Sequence, residues 1–358
     1  MPALRDDDDT ALSPQQNFAQ DEYGVPHLDA MLADFMAYSH GDQQAWLNAT
    51  RHYFRPPEWF DPNLDPASPA YAEQQDRLWS EVTGRGRAHD AHQDEQTPEV
   101  AQMDWRTRPG LFGLMVHEAA DQLLAMGQIL KHSQLHAGAR LLEYGPGFGQ
   151  IALSLARMGV HCSVVDVNPH FLTAIERQAE MYGVHVKTTL GEFGDAPPDE
   201  QPYNIILFYE AFHHSRDPIG LLRRLKPLLA EGGRIMLAGE PILPIGRGPI
   251  FAPWGLRGSR DAMAVMRWRG WYEGGFDPDW LGEMFAREGF RQVIHEGAHI
   301  SPCATVHEYI PDAAAPATAD AFSARWRARL DRRQVLEASP ARALWQRRLA
   351  WVARRLRA

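Results

Sequence analysis

The apolar positions along this chain change period once. Residues 26–39 set Leu28, Met31, Leu32, Phe35 and Met36 three and four apart, the spacing of one helix face, and 71–82 and 111–130 repeat it. Pro56, Pro57, Pro62, Pro66 and Pro69 interrupt the first two, and the polar stretch 84–100 reads as a mobile loop. From Ala139 onward, short apolar runs alternate with helical stretches. Residues 139–145, 161–167, 184–191, 203–212 and 234–241 read as strands, with helices at 150–159, 171–183 and 217–233 between them. Strands and helices in alternation imply βαβ units. Runs that are apolar throughout imply strands buried on both faces.

Residues 241–275 are irregular and rich in aromatic residues, 277–289 are helical, and 291–297 and 304–310 read as two closing strands. The expected fold is therefore α/β, a doubly wound, Rossmann-like sheet of seven strands over 134–312. A helical extension or lid, 26–133, precedes it. After it come the linker 313–318 and two basic helical segments divided by Pro340, and residues 1–25, acidic and polar, read as disordered.

Composition narrows the class. No window is apolar enough for a membrane span, and the start MPALRDDDDT does not read as a signal peptide. Two cysteines, Cys162 and Cys303, are too few for a disulfide framework, so a reducing cytoplasm is the expected location. From Ala319 to the end, eleven arginines face three acids, a surplus of eight. With a net charge of −10, the rest of the chain carries −18, which argues against a nucleic-acid-binding body.

The densest chemical signal is Glu143-Tyr144-Gly145-Pro146-Gly147-Phe148-Gly149-Gln150, between the first strand and its helix. Glycines there let the backbone turn tightly and approach a ligand. A dinucleotide fingerprint needs a sixth-position glycine counted from Gly145, and Gln150 stands there, which disfavours a dehydrogenase. Asp166 closes the second strand, where a carboxylate can accept both hydroxyls of a ribose.

Glu-x-Gly-x-Gly-x-Gly with a preceding strand resembles motif I of the class I S-adenosylmethionine-dependent methyltransferases. That resemblance covers about residues 137–310 and implies S-adenosylmethionine as cofactor. It implies that the turn Tyr144, Gly145, Gly147 and Gly149 wraps the methionine part and that Glu143 helps to hold its ammonium group. It places Asp166 and Val167 at the ribose, Glu192 at the adenine amino group and Phe193 at the ring edge. The stretches 141–159, 206–218, 238–242 and 253–257 are also similar to bacterial methyltransferases of glycan and polysaccharide assembly, which implies O-methylation of a saccharide or glycan intermediate.

Ligands of open α/β sheets bind beyond the carboxyl ends of the strands. Glu210, His213 and His214 follow the fourth strand and Glu240 the fifth, so two carboxylates and two imidazoles converge. A hydroxyl must lose its proton to accept a methyl, and histidine titrates near neutrality. His213 or His214 is the expected base, oriented by Glu210 or Glu240. A divalent metal on Glu210, His214 and Glu240 is the variant, with no metal as the main reading. Trp254, Arg257, Trp271 and Glu273, together with Trp268 and Tyr272, are expected to form the acceptor pocket. His89 and His92 read as solvated loop residues. Tyr53, Arg55, Arg108 and Gln128 are polar candidates of the extension, which is expected to cover the cleft.

Residues 341–358 form a basic amphipathic pattern, which reads as an element for the inner membrane surface or a partner subunit, or as a helix docked on its own domain. Two other readings stand beside the saccharide one. The first is O- or N-methylation of a small natural product, and the second is a cofactor-binding module without catalysis.

Overall fold

The computed structural model describes residues 22–37, 53–103, 116–246 and 249–338. The acidic start 1–21, Arg108 and the segment 341–358 lie outside the described residues, as does the side chain of Tyr53. The chain opens with β1 (Glu22–Tyr23), α1 (Leu28–Ala37), β2 (Tyr53–Phe54), α2 (Pro69–Thr83), α3 (Ala91–Asp94) and α4 (Val116–Ser133). Ser68 caps α2, its Oγ accepting the Tyr71 N–H, Pro69 fills the first turn, and Gly84 ends the helix at φ +69°. Tyr71, Gln75, Leu78, Trp79 and Val82 form its buried face.

The central unit runs β3 (Arg140–Tyr144), α5 (Gln150–Ala156), β4 (His161–Asp166), α6 (Pro169–Tyr182), β5 (Val186–Leu190), β6 (Tyr203–Tyr209), α7 (Pro218–Leu225) and β7 (Leu229–Ala238). Then come β8 (Trp254–Leu256), α8 (Arg260–Arg269), β9 (Gly274–Phe276), α9 (Pro278–Arg287), β10 (Phe290–His295), β11 (Val306–Pro311) and α10 (Ala319–Ala338). Seven strands form one sheet in the order β10-β11-β7-β6-β3-β4-β5. The strands from β7 to β5 pair in parallel, and β11 runs against both its neighbours.

Successive residues of each strand feed opposite layers. Ile206 and Phe208 join one apolar cluster with α2, α7 and α9; Ile205 and Leu207 join the other with α4, α5 and α6. Burial on both faces explains why these strands carry no polar alternation. The strand order reverses at β3 and β6, so a crevice opens past their carboxyl ends.

Four sequence expectations change. The helix at 217–233 stops at Leu225, because Pro227 can neither donate nor fit inside a helix, and residues 229–233 extend β7 instead. Residues 84–100 are anchored: the fully buried Asp94 carboxylate pairs with Arg85 and Arg87. The insert 241–275 is ordered around the β8–β9 pair and α8. It is tied to α2, where the Tyr71 hydroxyl donates to Trp254 O at 2.6 Å and Trp79 Nε1 to Gly270 O at 3.2 Å. The linker becomes a 3₁₀ turn over Ala315–Thr318, and α10 packs on α9 through Trp326, whose Nε1 donates to Glu283, and through Arg329 on Asp277. Among the described residues, no helix is long and apolar enough to cross a membrane.

Candidate functional site

The glycine turn leaves β3 with Glu143 buried beneath it. Glu143 Oε2 accepts the Ala152 N–H at 3.1 Å, which ties the start of α5 to the end of the strand. Burial pushes this carboxyl up to about 8. Gly145 and Gly149 hold φ of +61° and +72°. A Cβ on Gly145 would lie 2.9 Å from the Ala211 Cβ, and one on Gly149 would lie 2.6 Å from Ile175 Cγ1, so larger residues clash there as well as strain the turn. Tyr144 turns away: its hydroxyl donates to Asp195 O at 2.8 Å and its ring stacks on Phe208.

Asp166 ends β4 and accepts the Asn168 N–H at 2.7 Å; burial raises its carboxyl to about 7. Val167 O receives the Gln96 side chain at 2.9 Å. After β5, Phe193 packs edge-on against Tyr144 and Phe208, and the half-exposed Glu192 lies 3.2 Å from His92.

One cavity of about 1410 Å³ runs from Gly145, Gly147 and Asp166 past Phe193 to His213, Trp271 and Glu273. Single-ligand pockets hold about 300–1,000 Å³, so this one has room for a nucleoside cofactor and an acceptor together. Glu143 and Asp166 beside the turn suit an ammonium group and ribose hydroxyls, which donate hydrogen bonds, better than a pyrophosphate, which only accepts them. The residues present therefore fit S-adenosylmethionine.

The burial of Glu143 has a measurable cost. A carboxyl whose pKa rises from its ordinary 4.5 to about 8 costs nothing below 4.5, and the cost grows as pH rises towards 8. Glu143→Gln keeps an acceptor for Ala152 and removes that cost. Thermal melts should show the variant a few degrees more stable at pH 9 and equal to the wild type at pH 4. A melting difference independent of pH would contradict a buried, destabilised carboxylate.

At the other end of the cavity the two histidines part company. Glu240 Oε1 accepts the Ala211 and Phe212 N–H groups at 2.9 and 2.8 Å. Its Oε2 accepts the His213 N–H at 3.0 Å and lies 2.7 Å from His213 Nδ1. Burial works to raise this carboxyl, but His213 and the turn amides outweigh it and hold Glu240 ionised. A carboxylate only accepts, so Nδ1 carries a proton, while Nε2 lies 3.7 Å from Glu273 Oε2, beyond hydrogen-bond distance.

His214 Nδ1 instead lies 3.2 Å from Glu95 Oε2, at ion-pair distance but off the line of a good hydrogen bond. Burial works to lower its pKa; the Glu95 charge outweighs burial and, with Glu273 and Glu240, lifts it to about 9. That shift favours the imidazolium form of His214 at neutral pH. Glu210 lines the cavity at φ +51°, its carboxyl raised by burial, and a Cβ on Gly239 would meet its Cγ at 2.6 Å.

Glu95 escaped the sequence reading. Its carboxylate lies 2.7 Å from His89 Nε2 and accepts the Tyr272 N–H at 2.7 Å, and burial is overcome by His214 and His89 to hold it at about 2. His89, expected to be solvated, is 4% exposed, enclosed by the Trp79 and Tyr272 rings. Of the acceptor candidates, Trp254 is buried and donates to Pro66 O at 2.8 Å, Arg257 pairs with Glu273, and Trp271 sets its ring edge-on to His214. Gln128 lies beside His132 on α4.

The metal variant on Glu210, His214 and Glu240 is not assembled, because the Glu240 oxygens are taken by the turn. Among the described residues, His213, His214 and Glu273 come close enough to share a cation. The Arg257 guanidinium already pairs with Glu273, which puts a positive charge where a cation would bind. Elemental analysis should find no stoichiometric divalent metal in the purified protein, and EDTA should leave turnover unchanged. One equivalent of tightly held zinc, lost together with activity, would contradict this.

A family model described as a methyltransferase domain matches residues 105–293. The ubiquinone biosynthesis O-methyltransferase of Aeromonas salmonicida is 30% identical over 104 residues, 28% of this chain and 43% of that protein. Its namesake from Ruegeria pomeroyi is 28% identical over 173 residues, 46% of this chain and 65% of that protein. The chain thus spans less than half the length of the first of these relatives and just under two thirds of the second. Among solved structures, magnesium protoporphyrin IX methyltransferase from Synechocystis with bound S-adenosylhomocysteine aligns at TM-score 0.39. It is 13% identical, and the alignment covers 58% of this chain and 93% of that one.

Proposed function

Since this chain belongs to the methyltransferase-domain family, whose model matches more than half of it, we propose that it methylates a hydroxyl of a small organic acceptor. S-adenosylmethionine is the cofactor expected from fold and family, and when bound it supplies an electrophilic methyl on a sulfonium. Asp166 would accept the ribose hydroxyls, and the turn at Gly145–Gly149 and Glu143 would hold the amino-acid end. Glu192 and Phe193 would border the adenine.

The observation that carries the reading is the His213–Glu240 pair. Glu240 fixes the tautomer and direction of the ring, so Nε2 meets the acceptor with its lone pair. The acceptor proton would pass to Nε2, and bound S-adenosylmethionine would supply the methyl, its S–CH3 bond breaking as the O–CH3 bond forms and S-adenosylhomocysteine leaving. The imidazolium so formed lies between Glu240 and Glu273, which stabilise it.

The acceptor class rests on the relatives. Those named above are O-methyltransferases of ubiquinone biosynthesis, which favours a small-molecule hydroxyl. The saccharide acceptor has no counterpart among them and stands second. Incubation with methyl-labelled cofactor and a panel of phenols, catechols and oligosaccharides tests this. The expected product is a labelled aryl or alkyl ether of a small hydroxylated acceptor. Labelling confined to amines would overturn the O-methyl reading, and labelling confined to oligosaccharides would restore the second one.

A further inference from the structure

Two histidines side by side at one site need two roles, and their partners come from different parts of the chain. His213 is held by Glu240 from the end of β7, its own sheet. His214 is held by Glu95, from the extension that precedes the sheet. Glu95 is itself fixed from three sides, by His89 Nε2, by the Tyr272 N–H and by His214. The Nδ1 edge of His214 is thus buried against a carboxylate, while the ring, 19% exposed, lines the same cavity as His213. The ring centroids of the two histidines lie 4.3 Å apart. One nitrogen of each ring and a Glu273 oxygen lie within 4.8 Å of one another, so a single oxygen atom can bridge the two histidines.

We propose that His214 is a second catalytic residue, a fixed imidazolium that donates a hydrogen bond from Nε2 to the acceptor oxygen while His213 removes its proton, and that Glu95 is the positioning residue that keeps it charged. This rests on the hydroxyl acceptor argued above. The oxygen would gain negative charge as its proton moves to His213, before the O–CH3 bond has formed and the S–CH3 bond has broken to leave S-adenosylhomocysteine. A cation already in place stabilises that charge without reorganisation. The other charged groups facing His214 are Glu240, Glu273 with its partner Arg257, Asp166 and His213. Removing Glu95 leaves acids nearby but takes away the one in contact. The chain also acquires a reason for its extension: residues 84–100 carry the carboxylate in contact with His214, which the sheet does not supply.

The test compares wild type, Glu95→Gln, Glu95→Asp and His214→Gln. Titration of the His214 ring by NMR needs no acceptor. Its midpoint should lie near 9 in the wild type and fall by about two units in Glu95→Gln, with Glu95→Asp in between. Turnover at pH 8 should drop on the order of 100-fold in Glu95→Gln and in His214→Gln, carried by kcat rather than KM. The alkaline limb of the kcat profile should move from near pH 9 toward neutrality in Glu95→Gln and vanish in His214→Gln. Affinity for S-adenosylhomocysteine should hold in all three variants, which a merely structural role would not give. A His214 midpoint, or an alkaline limb, unmoved by Glu95→Gln would overturn this inference. A wild type that titrates as stated yet methylates no hydroxyl would overturn the acceptor reading instead.

Discussion

His213→Ala should lower kcat by roughly 10²- to 10⁴-fold, the range in which a positioned base contributes. Affinity for S-adenosylmethionine should stay within about two-fold. His213 Nδ1 is committed to Glu240 at 2.7 Å, and among the described residues Nε2 has no partner closer than Glu273 at 3.7 Å. Removing the ring removes the proton acceptor and leaves the glycine turn and Asp166 untouched. Steady-state kinetics beside calorimetry separates the two effects. Full activity in the variant would place the base elsewhere, and lost cofactor affinity would make His213 part of the cofactor pocket.

The second large effect is expected at Asp166. A hydrogen bond to a charged acceptor contributes about 1.5–3 kcal/mol, and a ribose offers two. Asp166→Ala should therefore weaken cofactor binding by at least about 100-fold, measured by calorimetry. The carboxyl is raised to about 7 by burial, so it is largely neutral below that pH and ionised above it. Ribose hydroxyls are donors to the ionised form. Wild-type affinity should then increase between pH 6 and 8 with release of a proton, and the variant should lose that dependence. Undiminished affinity in Asp166→Ala would remove the residue from the ribose.

The core was legible because burial on both faces writes itself as unbroken apolar runs, as in Ile205–Phe208, and because the acids Glu143 and Asp166 stand where those runs end. The glycine turn was legible for the same reason: only glycine tolerates both the positive φ and the approach of Ala211. What escaped depends on contacts remote in sequence. Nothing local distinguishes His213 from His214; Glu240 and Glu95 do, and neither pairing leaves a motif. Strand β9 is Gly-Gly-Phe, with almost no side-chain pattern to betray a strand. The docking of the basic helix α10 is set by Asp277, which caps α9, and by Asp279 and Glu283 on it, which from sequence alone are ordinary helix-start and surface acids. The end of α7 was readable in Pro227 and simply outweighed by the apolar spacing around it.

A crystal structure of the complex with S-adenosylhomocysteine tests the account most directly. The nucleoside should lie in the crevice past β3 and β4, with both ribose hydroxyls on Asp166, the amino-acid end along Gly145–Gly149 and the sulfur turned toward His213 Nε2. A product bound elsewhere, or lying in the crevice with its sulfur turned away from that nitrogen, would contradict it.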